Sequence, residues 1–280
     1  MEVKTLEGIE TKQLLEVFNA AFSDYFVPFQ LTEALLIAKM KADKVDLSIS
    51  VGAFDNNTLV AFVLHGFDVV DRKMQVYNAG TGVVPEKRGN GLTQKLYRFV
   101  LPLLEHKGID SIVLEVIDKN VQAIKSYSKI GFVARRKLVC YKGDHRIQKT
   151  NQDIQIKELQ YIPWAPLESF WDLQPTWQNS KHVLKAMLQD HIALGAYSKA
   201  QLTGYIIFNP LTKRIQQIAV DKDFRRMGIA STLVAELTKK YGKTLSVINV
   251  DKAFKGTNQF FNALGFKNYV EQLEMVLNIN

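Results

Sequence analysis

The chain has 280 residues, 47% hydrophobic and 23% charged, with 36 Lys and Arg against 28 Asp and Glu for a net charge of +8. That apolar share fills real cores, which excludes a disordered or collagen-like chain, and the length is about twice that of a common domain. A lone cysteine, Cys140, excludes a disulfide framework and a thiolate cluster, and the five histidines lack ligand spacing, so no metal is expected.

In chain order, helical patterning spans Glu10 to Phe22 and Thr32 to Ala42, and three strands follow, ending near Val84. The apolar stretch Leu59 to Phe67 is interrupted by His65 and closed by Asp68, too short to span a bilayer, so no membrane partner is expected. A helix from Gly91 to His106, with Leu92, Leu96, Phe99, Val100 and Leu103 on one side, precedes a strand at Ser111 to Ile117. A helix at Val121 to Lys129 and a strand from Phe132 complete the set. The start, MEVKTLEGIE, mixes charges without an apolar export segment, and a cytoplasmic protein is expected. Basic residues are interspersed with acids, the densest cluster being Arg135-Arg136-Lys137, and no base-reading module accompanies them. Nucleic acid is therefore not an expected partner, and the charge suits an anionic small ligand or a solvated surface.

The second half repeats the first. Val51-Gly-Ala-Phe through Leu64 recurs as Leu194-Gly-Ala-Tyr through Ile207, each reading as strand, polar turn and strand. Arg88-Gly-Asn-Gly91-Leu-Thr93 matches Arg225-Arg-Met-Gly228-Ile-Ala230, and Ile130-Gly131-Phe132 matches Leu264-Gly265-Phe266. Strands alternating with helices after a hairpin imply an α/β fold with a mixed sheet covered on both faces, written twice. The expected division is a first domain at 1–145, a polar linker at 146–153 and a second domain at 154–280.

Each copy carries a strand, a glycine loop and a helix in series, an arrangement that binds phosphate through backbone N–H groups at the helix start. The loop lacks the Gly-Lys-Ser/Thr of a P-loop and the third glycine of the dinucleotide fingerprint. It resembles the acetyl-coenzyme A loop of the GCN5-related N-acetyltransferase (GNAT) family, Arg/Gln-x-x-Gly-x-Gly/Ala. Copy two fits throughout with Arg225, Gly228 and Ala230, and copy one fits at Arg88 and Gly91 but has Thr93 last. The family's second motif, Asn-x-x-Ala-x-x-x-Tyr-x-x-x-Gly-Phe, stands in copy one as Asn120, Ala123, Tyr127, Gly131 and Phe132. Spacings of three, four and four put the first four residues on one helical face, with Gly131 as a left-handed stop.

The resemblance implies an acetyl-coenzyme A-dependent N-acetyltransferase that acts by direct attack in a ternary complex. Its acceptor would be a small-molecule amine or a peptide N-terminus. In copy one the resemblance places coenzyme contacts at Val83, Val84, Arg88, Gly89, Asn90, Gly91, Thr93, Asn120 and Ala123. In copy two it places them at Val220, Arg225, Arg226, Gly228 and Ala230. Glu115 and Tyr127 resemble the base and acid of the family's ribosomal-protein alanine N-acetyltransferases, including their twelve-residue spacing (127 − 115). Glu115 interrupts an otherwise apolar strand, which reads equally as a raised-pKa base or as a carboxylate bonded to backbone. Copy two has Asn249 and Phe261 at these positions, so catalysis is expected in copy one, with copy two binding coenzyme or serving structure. Between the first two helices, Asp24 and Tyr25 sit in the aromatic stretch Phe22 to Phe29, read either as an acceptor pocket or as packing. Trp164, Trp171 and Trp177 occupy the equivalent region of copy two, where packing is expected. Cys140, in an apolar strand, reads as a buried structural thiol.

Overall fold

Fully apolar runs become strands and amphipathic runs become helices in the computed structural model, which describes residues 1–26, 30–146, 150–172 and 174–279. The first half contains β1 (Glu2–Thr5), α1 (Thr11–Ala21), α2 (Glu33–Ala42), β2 (Val51–Asp55), β3 (Thr58–Val70) and β4 (Lys73–Val83). It continues with α3 (Leu92–His106), β5 (Ser111–Ile117), α4 (Val121–Ile130) and β6 (Val133–Asp144). The second half opens with β7 (Ile154–Glu158), α5 (Trp164–Ser169), α6 (Lys181–Ala186), β8 (Ile192–Ser198), β9 (Gln201–Asn209) and β10 (Arg214–Val220). It closes with α7 (Ile229–Tyr241), β11 (Thr244–Asp251), α8 (Lys255–Ala263) and β12 (Lys267–Asn278).

Chain compactness divides the molecule elsewhere than at the polar stretch 146–153, of which residues 147–149 lie outside the described set. Unit 1 comprises Met1–Arg135 with Leu273–Asn280, and unit 2 comprises Arg136–Gln272. The end of β12 thus completes unit 1, whose strands run in the order β1-β2-β3-β4-β5-β12. The 136–144 part of β6 completes unit 2, ordered β6-β11-β10-β9-β8-β7. The apolar residues explain this arrangement. Met275 is buried in the unit 1 core, where Leu273 and Leu277 pack, while Val139 and Tyr141 of β6 are buried in the unit 2 core. Burial of one such side chain is worth about 1.5–3 kcal/mol, so each segment belongs to the core it fills.

In both units antiparallel hairpins lead to one parallel pair, β4–β5 or β10–β11, joined by α3 or α7. Asn56 and Asn57 have left-handed φ of 47° and 65°, which suits the two-residue turn between β2 and β3. Each parallel pair is short. β4 and β5 pair only over Gln75–Tyr77 against Ser111–Val113, and β10 and β11 only at Arg214 and Ile215 against Ser246 and Val247. The strands then part, leaving a crevice at their carboxyl ends, where helix starts converge.

Helix α3 departs from the expected face. Leu92, Leu96, Tyr97, Val100 and Leu104 are buried, whereas Phe99 is 43% exposed. Tyr97 and Leu104 move the centre of the face to Val100 and leave Phe99 on its margin.

Candidate functional site

The glycine loops of the two units follow the same backbone path. A single turn of 3-10 helix, Pro85–Lys87 or Lys222–Phe224, leads to an extended arginine: Arg88 at φ −64°, ψ 159°, or Arg225 at φ −70°, ψ 156°. Left-handed residues follow at the next and third positions, Gly89 (79°) and Gly91 (67°) in unit 1, Arg226 (66°) and Gly228 (79°) in unit 2. Glycine adopts this conformation freely, and Arg226 does so at a cost of about 1 kcal/mol. Helical bonding begins with Lys95 N–H donating to Gly91 O (3.1 Å) and Thr232 N–H to Gly228 O (2.9 Å). The first-turn N–H groups of residues 92–94 and 229–231, including Thr93 and Ala230, therefore have no intrahelical acceptor and carry partial positive charge.

The arginines brace the loops. Arg88 donates to both Asp24 carboxylate oxygens at 2.6 and 2.7 Å, to Ala21 O at 3.1 Å and to Val83 O at 3.3 Å. Arg225 repeats the pattern with Asp172 at 2.9 Å, Phe170 O at 3.1 Å and Val220 O at 3.2 Å. The segment after the first helix of each unit is thereby clasped to the glycine loop, and anion recognition falls to backbone N–H groups. Arg88 and Asp24, expected on different ligands, are joined to one another, and the arginine holds the exposed Asp24 carboxyl below its ordinary pKa. Asn90 turns its side chain back onto Lys87 O at 3.1 Å, closing the loop on itself.

At the start of α4, Asn120 Oδ1 accepts from Ala123 N–H at 3.1 Å, capping the helix, and the Asn120 side chain also hydrogen-bonds Tyr25. Gly131 ends α4 at φ 114°. Tyr127 is buried on this helix, and its ring stands edge-on to Phe132 at 5.6 Å. Burial raises the Tyr127 phenol to about 12, a rise limited by a hydrogen bond from Thr81 and by Asn78 beside it. Tyr25 and Tyr127 are close enough to act electrostatically on one another, which brings together three residues expected at the site. Val27, Pro28 and Phe29, the end of the aromatic stretch, lie outside the described residues. Glu115 is the half-buried position of β5 and accepts a 2.6 Å hydrogen bond from the Tyr77 hydroxyl.

In unit 2 the crevice between β10 and β11 holds a cavity of about 690 Å³. Its walls include Val220, Arg226, Gly228, Ala230, Asn249 and Phe261. The cavity can admit an extended anionic ligand whose phosphates meet the start of α7, so the residues present fit an acyl-coenzyme A. Asn249 adopts a left-handed φ of 60° where the β11–β6 register shifts, and it accepts from the buried Cys140 thiol at 3.7 Å. Phe261 is 1% exposed. Trp171 also lines this cavity and donates to the Tyr205 hydroxyl at 2.5 Å, while Trp164 and Trp177 are buried. Asn78, Thr81 and Tyr97, polar side chains in apolar surroundings, were not expected at the site, and His65 was expected only as an ordinary histidine; the two copies differ at all four positions.

Both units have the same architecture, paired strands that part beside a glycine-capped helix. The family model "Acetyltransferase (GNAT) family" matches residues 13–132 and 156–266, and the chain belongs to this family. Solved structures agree in fold. A GCN5-related N-acetyltransferase from Sphaerobacter thermophilus aligns over 100% of this chain and 96% of its own at 12% identity and a TM-score of 0.75. A tandem GNAT protein from the clavulanic acid biosynthesis pathway aligns over 100% and 99%, also at 12% identity, with a TM-score of 0.74. In sequence, N-alpha-acetyltransferase 30 of Schizosaccharomyces pombe is 31% identical over 90 residues, 32% of this chain. The match spans 60% of that relative's length. Among the described residues no helix is long and apolar enough to cross a membrane.

Proposed function

We propose that the protein transfers an acetyl group from acetyl-coenzyme A to a primary amine, either a small molecule or a peptide N-terminus. In this reading the chemistry runs in unit 1, and unit 2 binds coenzyme without turnover. The observation that carries it is Tyr127, a buried phenol at the motif position where unit 2 has Phe261. The S. pombe relative's name, an N-alpha-acetyltransferase, supports an amine acceptor.

Acetyl-coenzyme A, when bound, supplies a thioester whose carbonyl carbon takes the amine nitrogen as the C–S bond breaks. Tyr127 holds its proton at neutral pH because burial disfavours the phenolate, and it offers that proton at Oη to the departing sulfur. A phenol near 12 would be a poor acid toward a thiolate in water, whose ordinary value is about 8.5. The same dry surroundings raise the proton affinity of a buried thiolate, which narrows the gap. Glu115, aimed by Tyr77, takes the proton lost by the attacking amine and returns it to solvent, and Tyr127 is reprotonated. The net exchange is one amine N–H for one thiol S–H.

The unit 2 cavity with its complete loop favours a second reading, a non-catalytic acyl-coenzyme A binding protein. A panel of primary amines and N-terminal peptides assayed for thiol release, beside calorimetric titration with acetyl-coenzyme A, separates the two. Release dependent on one amine class is expected. Coenzyme binding without release for any acceptor would establish the second reading instead.

A further inference from the structure

We infer that Asn78, Thr81 and Tyr97 are positioning residues for Tyr127, forming a buried polar network kept for the reaction and not for the fold. This rests on the reading of Tyr127 as proton donor. Asn78 Nδ2 donates to Thr81 Oγ1 and to the Tyr97 hydroxyl, both at 2.8 Å, and Asn78 Oδ1 accepts from Gly80 N–H at 3.0 Å. Thr81 hydrogen-bonds the Tyr127 hydroxyl, and Asn78 lies beside it. Asn78 Nδ2 gives its two protons to Thr81 and Tyr97, and the Thr81 hydroxyl, having accepted one, gives its own to Tyr127. Tyr127 Oη therefore accepts from the network, and its proton is left to point at another acceptor. His65 adjoins the group, its ring 5.8 Å from that of Tyr97.

The second unit is a natural control. His65 pairs with Asn78 across β3 and β4 just before a register shift, and Phe208 pairs with Ile215 across β9 and β10 at the matching shift. Three residues beyond Asn78 stands Thr81, and three beyond Ile215 stands Ile218. Tyr97 is the sixth residue of α3, and Val234 is the sixth of α7. Tyr127 precedes Gly131 by four residues, as Phe261 precedes Gly265. Every one of the five polar side chains is thus matched by a hydrocarbon one. Phe208, Ile215 and Val234 are fully buried. The same backbone path folds without the polar set, so folding does not require it. A satisfied buried polar network gains little over well-packed hydrocarbon, and unit 2 carries a different one, with Tyr205 donating to Gln217 at 2.7 Å, so it is the placement of this network around the motif tyrosine that points to the chemistry.

The test uses Thr81→Val and Asn78→Leu in the full chain, each alone and combined with Tyr127→Phe, with Thr81→Ser as the conservative variant. Steady-state kinetics are read beside the thermal midpoint of the ligand-free protein. Thr81→Val and Asn78→Leu are expected to lower kcat roughly tenfold with little change in coenzyme KM. Asn78→Leu leaves the Tyr97 hydroxyl and the Gly80 N–H without their partner and should lower the midpoint, Thr81→Val should lower it less, Thr81→Ser should retain activity, and no further loss of kcat should appear on top of Tyr127→Phe. If Tyr127→Phe lowers kcat but Thr81→Val and Asn78→Leu do not, the network is overturned. So it is if Thr81→Ser loses as much kcat as Thr81→Val, or if the losses add to that of Tyr127→Phe, because the role is then structural. If Tyr127→Phe leaves kcat unchanged, the reading of Tyr127 itself fails. Thr81→Val, the smaller change, keeps the test open should Asn78→Leu not fold.

Discussion

At the end of α4 unit 1 buries a phenol among Asn78, Thr81 and Tyr97, whereas at the end of α8 unit 2 buries Phe261 among other rings. Phe261 stands 5.3 Å from Phe260, 5.7 Å from Tyr141 and 5.8 Å from Phe266. The loops above these clusters are alike to within a few degrees at the arginine, and both arginines grip an aspartate and two carbonyls. The difference teaches that the binding part and the chemical part of this fold vary independently. Backbone geometry and its clasp persist in both copies, while the polar interior differs: unit 1 places its network around the motif tyrosine, and unit 2 joins Tyr205 to Gln217.

The largest expected effect strikes the chemical part. Tyr127→Phe should lower kcat by about 100-fold or more, the contribution typical of a positioned acid, with coenzyme affinity retained. An unchanged kcat at saturating substrates would place the chemistry elsewhere and dissolve the contrast between the units. Next comes a pH effect at His65 of unit 1, of the same sign as those of His145 and His191 of unit 2. Burial pushes the His65 imidazole down from 6.5 to about 4, so the folded chain keeps it neutral while the unfolded chain takes up a proton below 6.5. Stability from this source is complete above pH 6.5 and falls as pH drops, by about 3 kcal/mol at pH 4. His65→Phe, which installs the unit 2 residue type, should reduce the loss of stability between pH 7 and pH 4.5 in denaturant unfolding, leaving the share of His145 and His191. An identical slope in both proteins would refute the assignment.

Introducing the hydroxyl into the wrong unit sharpens the comparison further. Phe261→Tyr adds an O–H to a side chain 1% exposed in a unit where Ile215, Ile218 and Val234 stand in place of Asn78, Thr81 and Tyr97. A loss of about 1–3 kcal/mol is expected in equilibrium unfolding, with no gain in acetyl transfer. A stable, newly active unit 2 would mean that the polar network is dispensable.

Much of this was legible in the sequence for physical reasons. Helix starts at Thr11, Glu33, Leu92 and Val121 follow from periodicity within a residue or so, and the glycine loops follow from Gly91 and Gly228 standing three residues after an arginine and just before a helical pattern. The allotment of 136–144 to unit 2 and of 273–280 to unit 1 was hidden, because an apolar strand fits either core and its partner is fixed only in three dimensions. Arg88 and Asp24 were each visible as charged residues. Their pairing was not, since 64 residues separate them and sequence distance carries no sign of contact. Asn78 and Tyr97 looked like ordinary members of a strand and a helix until their neighbours were known.

The smallest expected effect concerns that clasp. In unit 2, Asp172→Asn leaves Arg225 its carbonyl partners and removes only the charge, at a site where Arg225 and Asp172 side chains are 36% and 26% exposed. An ion pair so hydrated contributes about 0.2–1 kcal/mol, which predicts a roughly two- to fivefold weaker coenzyme affinity by calorimetric titration. Because the aspartate holds the loop and does not touch the phosphates in this account, kcat should be unchanged, and the loss should shrink as added salt screens the pair in the unmutated protein. If Arg225 instead met the phosphates directly, freeing it from Asp172 would strengthen binding, and the gain would fade as salt screened it. Asp24→Asn applies the same test to unit 1, where both carboxylate oxygens engage Arg88 but the Asp24 side chain is 60% exposed, so a loss no larger than in unit 2 is expected. Opposite signs in the two units would show that the repeated clasp has been put to different uses on the two sides.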